Sequence, residues 1–313
     1  MEITVVVLTY NSAATLPACL DSLAAQQHQP AEVLIVDDDS ADMSVDIARG
    51  YTGRLPIRIL RNGSHNISRG RNMGLAAARH PVVAFLDSDA WAEPGWTAAV
   101  LAAFSENTHT AVVGGAVLAD HTGRLAAAIA INDGTMRHLA SSGKLLVGGC
   151  NMAVHTARTS ELFDERWVHA EDIEFTDRVG RWSVAPAARV WHESRPTVAG
   201  YFGQMYRYGL WKVRYTLHTG DARLADYSPA VAMVGSGALA CVSPWLALAY
   251  PALCVAETIV VAGLARPASR LLPLMALGWL VKNTGWGLGV LHALLQQVTG
   301  RSRIPAGPRP RVV

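Results

Sequence analysis

The run Val82-Val83-Ala84-Phe85-Leu86 carries no polar side chain and then turns at once into Asp87-Ser88-Asp89. A short continuous apolar run fits a strand buried on both faces of a parallel sheet, which puts the two acids at its carboxyl end, where open α/β sheets bind ligands. Side chains two apart on a strand share a face, so both carboxylates point the same way. They repel one another unless a cation intervenes, and a hard divalent ion carrying nucleotide phosphates supplies that charge. Two further runs share this design. Glu32-Val33-Leu34-Ile35-Val36 ends in Asp37-Asp38-Asp39-Ser40, with Ser40 or Asp42 as the expected cap of the next helix, and Ile3 to Leu8 ends in Thr9-Tyr10-Asn11-Ser12.

Between these runs the pattern predicts helices near 15–27 and 41–51, a strand over Ile57 to Leu60, and a helix opening at Ser68-Arg69-Gly70-Arg71-Asn72-Met73-Gly74. The alternation implies a doubly wound α/β sheet whose right-handed crossovers bring the strand ends to a common crevice. A helix near 95–104 and a strand near 111–118 extend it.

The segments Val6-Val7-Leu8-Thr9-Tyr10-Asn11, Val36-Asp37-Asp38-Asp39-Ser40, Arg71-Asn72-Met73-Gly74, Asp87-Ser88-Asp89, Gly148-Gly149-Cys150-Asn151 and Glu171-Asp172 occur in the order and spacing of family 2 glycosyltransferases. The chain resembles that family over roughly Met1 to Gly209. Val190-Trp191-His192-Glu193 followed by Tyr206-Arg207-Tyr208-Gly209 looks like its membrane-anchored bacterial exopolysaccharide branch, the succinoglycan type. The resemblance implies a GT-A fold and a transfer of sugar from a nucleotide-diphospho-sugar donor to an acceptor hydroxyl.

It also implies a division of labour. Thr9 and Asp38 would hold the nucleotide base, Arg71 would neutralise the phosphates, and Gly149 and Asn151 would let backbone approach the donor sugar. Asp87 would lie near the ribose or the metal's water shell, and Asp89 would sit on Mg²⁺ or Mn²⁺, with His192 as a further candidate ligand. Asp172, in competition with Glu171 and Glu174, would open a helix and act as general base; a single displacement then inverts the anomeric carbon. Asp39 stands where the family usually has Gly. Arg178-Val179-Gly180-Arg181-Trp182 resembles the Gln-x-x-Arg-Trp signature of processive synthases but lacks its Gln, which favours one sugar per binding event.

Half of the residues, 50%, are hydrophobic, and the excess lies after Tyr227, where Ala230 to Ala265 and Leu271 to Val298 hold almost no charge apart from Glu257 and Lys282. Such stretches predict two or three membrane spans over 227–300, after a catalytic domain over 1–226 and before a basic cytosolic tail over 301–313. Arg266, Arg270, Arg301, Arg303, Arg309 and Arg311 flank them and place the catalytic domain on the cytoplasmic face of the plasma membrane. Aromatic and basic residues at helical spacing over 197–218 fit either an interfacial helix or one packed on the core. The four cysteines show no metal-ligand spacing and are read as reduced, packed thiols, and a net charge of +2 gives no field for nucleic acid. A lipid-linked saccharide is the expected acceptor. The competing readings are a polyprenyl-phosphate glycosyltransferase and a non-catalytic nucleotide-binding membrane scaffold.

Overall fold

The computed structural model describes residues 1–120, 123–140, 147–193 and 197–301. The apolar pair Leu145-Leu146 and the tail residues Arg303, Arg309 and Arg311 lie outside them. The chain divides into two compact units, Met1–Ala119 with Leu145–Glu193, and Asp120–Lys144 with Ser194–Val313.

In the first unit β1 (Ile3–Thr9), α1 (Leu16–Ala24), β2 (Glu32–Asp37), α2 (Ser44–Gly50), β3 (Ile57–Arg61), α3 (Ile67–Ala77) and β4 (Val82–Asp87) alternate as the sequence predicts. Their strands pair in parallel, with Leu8 opposite Asp87 and Thr9 opposite Asp37. Both faces are covered, which is why the strands read as unbroken apolar runs. Val5, Val7, Ile35 and Leu86 pack with Leu16, Leu20 and Leu23 of α1 on one side. Val6, Leu34, Val83 and Phe85 pack with Phe163 and Phe175 on the other. Full burial of one such leucine stabilises the fold by about 2 kcal/mol.

Beyond β4 the sheet is mixed. β5 (Ala90–Ala92) follows β4 after only Ser88 and Asp89, a link too short for the crossover that parallel pairing requires. α4 (Trp96–Glu106) and β6 (Val112–Asp120) come next, then α5 (Arg124–Ala140) of the second unit, and the chain resumes the sheet with β7 (Asn151–His155), α6 (Glu171–Val179) and β8 (Trp182–Glu193). β7 runs antiparallel to β4 and β6, and β8 antiparallel to β5, in the order β3-β2-β1-β4-β7-β6-β8-β5.

At the strand starts, away from the acidic ends, buried Glu32 accepts hydrogen bonds from Thr4 Oγ1 (3.0 Å) and the Arg79 N–H (2.9 Å) and pairs with Arg58. Burial opposes ionisation, but the Arg79 N–H, Arg58 and Thr4 together hold its carboxyl below the usual range. That stabilisation is present above the unfolded-state pKa and is lost as pH falls through the depressed native value. Glu32→Gln is therefore expected to lower stability at neutral pH by about 1–2 kcal/mol. Urea denaturation at neutral and acidic pH checks this, and a deficit that fails to shrink on acidification would refute the linkage.

The second unit is helical: α5, α7 (Val198–Thr219), α8 (Leu224–Ala240), α9 (Ala249–Ala265) and α10 (Leu272–Val298). α7 and α10 approach backbone to backbone. A Cβ at Gly289 would lie 2.1 Å from the Tyr206 carbonyl oxygen, one at Gly285 2.8 Å from that of Phe202, and one at Gly209 2.1 Å from that of Trp286. Small residues four apart permit such close crossings between apolar helices. Tyr201, Met205, Gly209, Trp211, Val213 and Tyr215 form the buried side of α7, while Val198, Tyr208 and Leu217 are exposed.

The charges inside the apolar segments are matched. Lys282 Nζ lies 2.6 Å from Asp133 of α5, and Asn283 Nδ2 donates to Glu257 at 2.7 Å. Among the described residues one helical stretch, Pro244–Ala265, is long and apolar enough to cross a bilayer, where the sequence predicted two or three. α8 is 17 residues long, and α10 carries Lys282, Asn283, His292 and Gln296 along its length. On the qualifying stretch Trp245 is 80% exposed, Ile259 67% and Val260 60%.

Candidate active site

The ends of β1 and β2 are laced together. Asp38 N–H donates to the Thr9 carbonyl at 2.9 Å, Asn11 N–H to Ser40 Oγ at 2.9 Å, and Ala41 N–H to Asn11 Oδ1 at 2.8 Å. Ser12 N–H reaches Ser44 Oγ at 2.8 Å and Ala13 N–H reaches Asp42 Oδ2 at 2.9 Å. Ser40 is thus committed to Asn11, and the N-cap of α2 is Met43 rather than Ser40 or Asp42, although Asp42 accepts the Ser44 N–H at 3.0 Å. Asp38 Oδ1 accepts from the N–H groups of Ser64 (3.0 Å) and His65 (2.9 Å), which fixes its carboxylate at the mouth of this loop. Asp39 has φ 59°, a left-handed conformation that glycine adopts most readily, and its carboxylate pairs with Arg61. Thr9 Oγ1 is buried and makes no hydrogen bond, a polar atom left over by the protein's own network.

Asp87 ends β4 opposite Leu8, and Asp89 occupies the turn into β5. Ser88 Oγ meets Ser12 Oγ at 2.8 Å and so ties the Asp87-Ser88-Asp89 turn to the β1 loop. The β5 to β8 register sets Ala90 opposite His192. It brings His192 Nε2 to 3.2 Å from Asp89 Oδ1 and 3.9 Å from Asp87 Oδ2. Burial pushes the Asp87 carboxyl above the usual carboxylate range; Arg71 opposes this, Asp89 adds to it, His192 opposes and Asp172 adds. Two carboxylates and an imidazole converging where negative charge is poorly accommodated fit a hard divalent cation.

From the sequence Arg71 is expected beside the donor phosphates, and the structure buries its side chain. It is 1% exposed, paired with Glu171, and its guanidinium lies 5.7 Å from the Phe85 ring centre and 5.4 Å from that of Phe163. Ser68, Arg71 and Gly74 recur three apart on α3, and that face packs on the sheet, which carries Arg71 inward. A Cβ at Gly149 would stand 2.1 Å from Arg71 Nη2, so this glycine makes room for the guanidinium. Asn151 is likewise turned into the sheet. Its Oδ1 accepts from Trp96 Nε1 at 2.8 Å and its Nδ2 donates to the Ala116 and Ala188 carbonyls, both at 2.9 Å. The side chains of Arg71 and Asn151 are thus engaged by Glu171, by Trp96 and by the Ala116 and Ala188 carbonyls, on either side of the Gly148-Gly149-Cys150 loop.

Ala170 adopts φ 59° and turns the chain into α6. The three acids of its first turn then diverge. Glu171 binds Arg71, and burial raises its carboxyl pKa, with Arg71 opposing and Asp172 adding. Glu174 binds Arg178, with Nε to Oε1 at 2.7 Å. Asp172 accepts instead from backbone: Oδ2 from the Gly149 N–H at 2.7 Å and Oδ1 from the Ile173 N–H at 2.9 Å. Arg71, Asp87 and Asp172 lie within one electrostatic neighbourhood. Cys150, read from the sequence as a packed thiol, sits in it too: Asp87, Cys150 and His192 present ligand atoms within 4.8 Å of one another. Burial pushes the Cys150 thiol up, and Asp87 and Asp172 add to the effect. Its adjacency to Gly148-Gly149 was the one sequence signal for that placement.

This sheet order, with the acidic turn after β4 and an acid opening the helix before the last long strand, is the GT-A architecture. Residues 4–143 match the model of Glycosyl transferase family 2. The chain is 32% identical over 123 residues to the putative glycosyltransferase EpsH of Bacillus subtilis (strain 168), covering 39% of this chain and 36% of that protein. It is 37% identical over 105 residues to the validoxylamine A glucosyltransferase of Streptomyces hygroscopicus subsp. jinggangensis, covering 32% of this chain and 25% of that one. The matches thus span about a third or less of these relatives' lengths. Among solved structures, S. aureus TarS 1-349 in complex with UDP-GlcNAc superposes with TM-score 0.51 at 19% identity, covering 97% of this chain and 93% of that one, a likeness of fold.

Proposed function

We propose that this protein is an inverting, metal-dependent glycosyltransferase that moves a sugar from a nucleotide-diphosphate donor to an acceptor hydroxyl. The observation that carries the reading is the convergence of Asp87, Asp89 and His192 with Asp172 in one electrostatic neighbourhood at the carboxyl ends of the strands. Asp38 and the unsatisfied Thr9 hydroxyl offer hydrogen bonds to the nucleotide base. Asp87, Asp89 and His192 would hold Mg²⁺ or Mn²⁺, which when bound neutralises charge on the departing diphosphate. Asp172 takes the proton of the acceptor hydroxyl as its oxygen attacks the anomeric carbon, and one such displacement inverts that centre. Arg71 keeps Glu171 and the Gly149 loop in place so that the base faces the acceptor.

The exposed apolar side of Pro244–Ala265 supports attachment to the plasma membrane, with the catalytic domain on the cytoplasmic face. A lipid-linked saccharide in cell-surface polysaccharide or glycolipid synthesis is then the acceptor class. UDP is the nucleotide to try first, because structures of TarS hold UDP and UDP-GlcNAc. Purified full-length protein in detergent with Mn²⁺ should melt at higher temperature with UDP or a UDP-sugar, the gain approaching about 2.7 kcal/mol at a hundredfold excess over Kd. It should also release UDP when acceptor is added. Absence of a shift with every uridine and guanosine nucleotide sugar would overturn the reading, and a shift without UDP release would favour the nucleotide-binding scaffold.

A further inference from the structure

We propose that Asp87, Cys150 and His192 form a second kind of metal site, one that captures a thiophilic divalent cation such as Zn²⁺ and thereby blocks the crevice. The three residues offer one oxygen, one sulfur and one nitrogen within 4.8 Å of one another. A closed tetrahedral zinc site with such ligands has them about 3.5 Å apart, a contraction that side-chain torsions supply. They arrive from three elements: the end of β4, the turn before β7, and β8 opposite Ala90. The set therefore exists only in the folded chain.

The ligand chemistry separates this site from the oxygen-rich one that Mg²⁺ or Mn²⁺ prefers. Thiolate and imidazole select zinc-like ions, and at equal availability such ions outcompete manganese at mixed nitrogen and sulfur donors. Binding exchanges a proton for a bond: hydrated Zn²⁺ loses water ligands, the Cys150 thiol loses its proton to buffer as the Zn–S bond forms, and no electron moves. Asp87 and His192 are shared, so one ion excludes the other. That consequence for transfer rests on the proposed function, whereas the capture itself rests on the geometry alone.

The test needs no turnover. Full-length protein in detergent is treated with a thiol alkylating agent, and the modified cysteines are identified by peptide mass. Micromolar Zn²⁺ should slow alkylation of Cys150 by at least about tenfold, and millimolar Mg²⁺ should leave it within about twofold. The exposed Cys241 serves as the internal control and should react equally throughout. Titration with Co²⁺ should give a sulfur-to-cobalt charge-transfer band that Cys150→Ser abolishes and that His192→Ala shifts to about 10- to 100-fold higher cobalt concentration. Unprotected Cys150 in Zn²⁺, or a charge-transfer band that survives Cys150→Ser, would overturn the site. Both readouts are independent of nucleotide, so their failure and a failure to bind nucleotide sugar are told apart.

Discussion

An Asp172→Asn variant will transfer sugar about 10³-fold more slowly than the parent while binding donor as tightly, the loss expected when a positioned base is removed. The side chain is isosteric, and an amide oxygen can still accept the Gly149 N–H that Asp172 accepts at 2.7 Å. The loop that carries Gly149 therefore keeps its place. What disappears is the capacity to take a proton from the acceptor hydroxyl. Glu171 and Glu174 cannot substitute, because each is already bound to an arginine, Arg71 and Arg178. Single-turnover transfer, measured beside the nucleotide-induced melting shift, decides the matter. A variant that retains transfer within tenfold of the parent would remove Asp172 from its role.

Arg71→Met will destabilise the first unit by about 3–5 kcal/mol, the usual cost of stripping one partner from a buried ion pair. Arg71 is 1% exposed and Glu171 nearly as buried, so water cannot take over the solvation of the abandoned carboxylate. The guanidinium also fills the space beside Gly149 and lies near the Phe85 and Phe163 rings. Glu171→Gln placed on top of Arg71→Met should recover much of the loss, since it removes the stranded charge. Urea denaturation of the single and double variants makes the comparison. A single variant within about 1 kcal/mol of the parent would show that the pair is not a keystone of this corner.

The parallel half of the sheet was readable because its strands are buried on both faces, which forces unbroken apolar runs at Ile3 to Leu8, Val33 to Val36 and Val82 to Leu86. In the antiparallel half β6 was legible near 111–118, and the other strands gave no comparable signal. β5 is three residues long, and β8 contains Pro186 within an alternating pattern. His192 could be named from the sequence, but its closeness to Asp89 depends on a pairing of residues about a hundred positions apart. Arg71 was named for a charge role, and its inward direction was implicit in the three-residue recurrence with Ser68 and Gly74. Glycine at 149 was expected to let backbone approach the donor sugar, and in the fold its missing Cβ also leaves room for the Arg71 guanidinium. Among the described residues Pro244–Ala265 meets the length and hydropathy of a span, while on α10 polar side chains are scattered singly between apolar ones.

The crossing of α7 and α10 leaves no clearance for even one added methyl at Gly209, Gly285 or Gly289. Evolution along these two helices is accordingly pinned at rungs one turn apart. Any descendant that enlarges a rung must move both rods at once, so they are inherited as a matched couple.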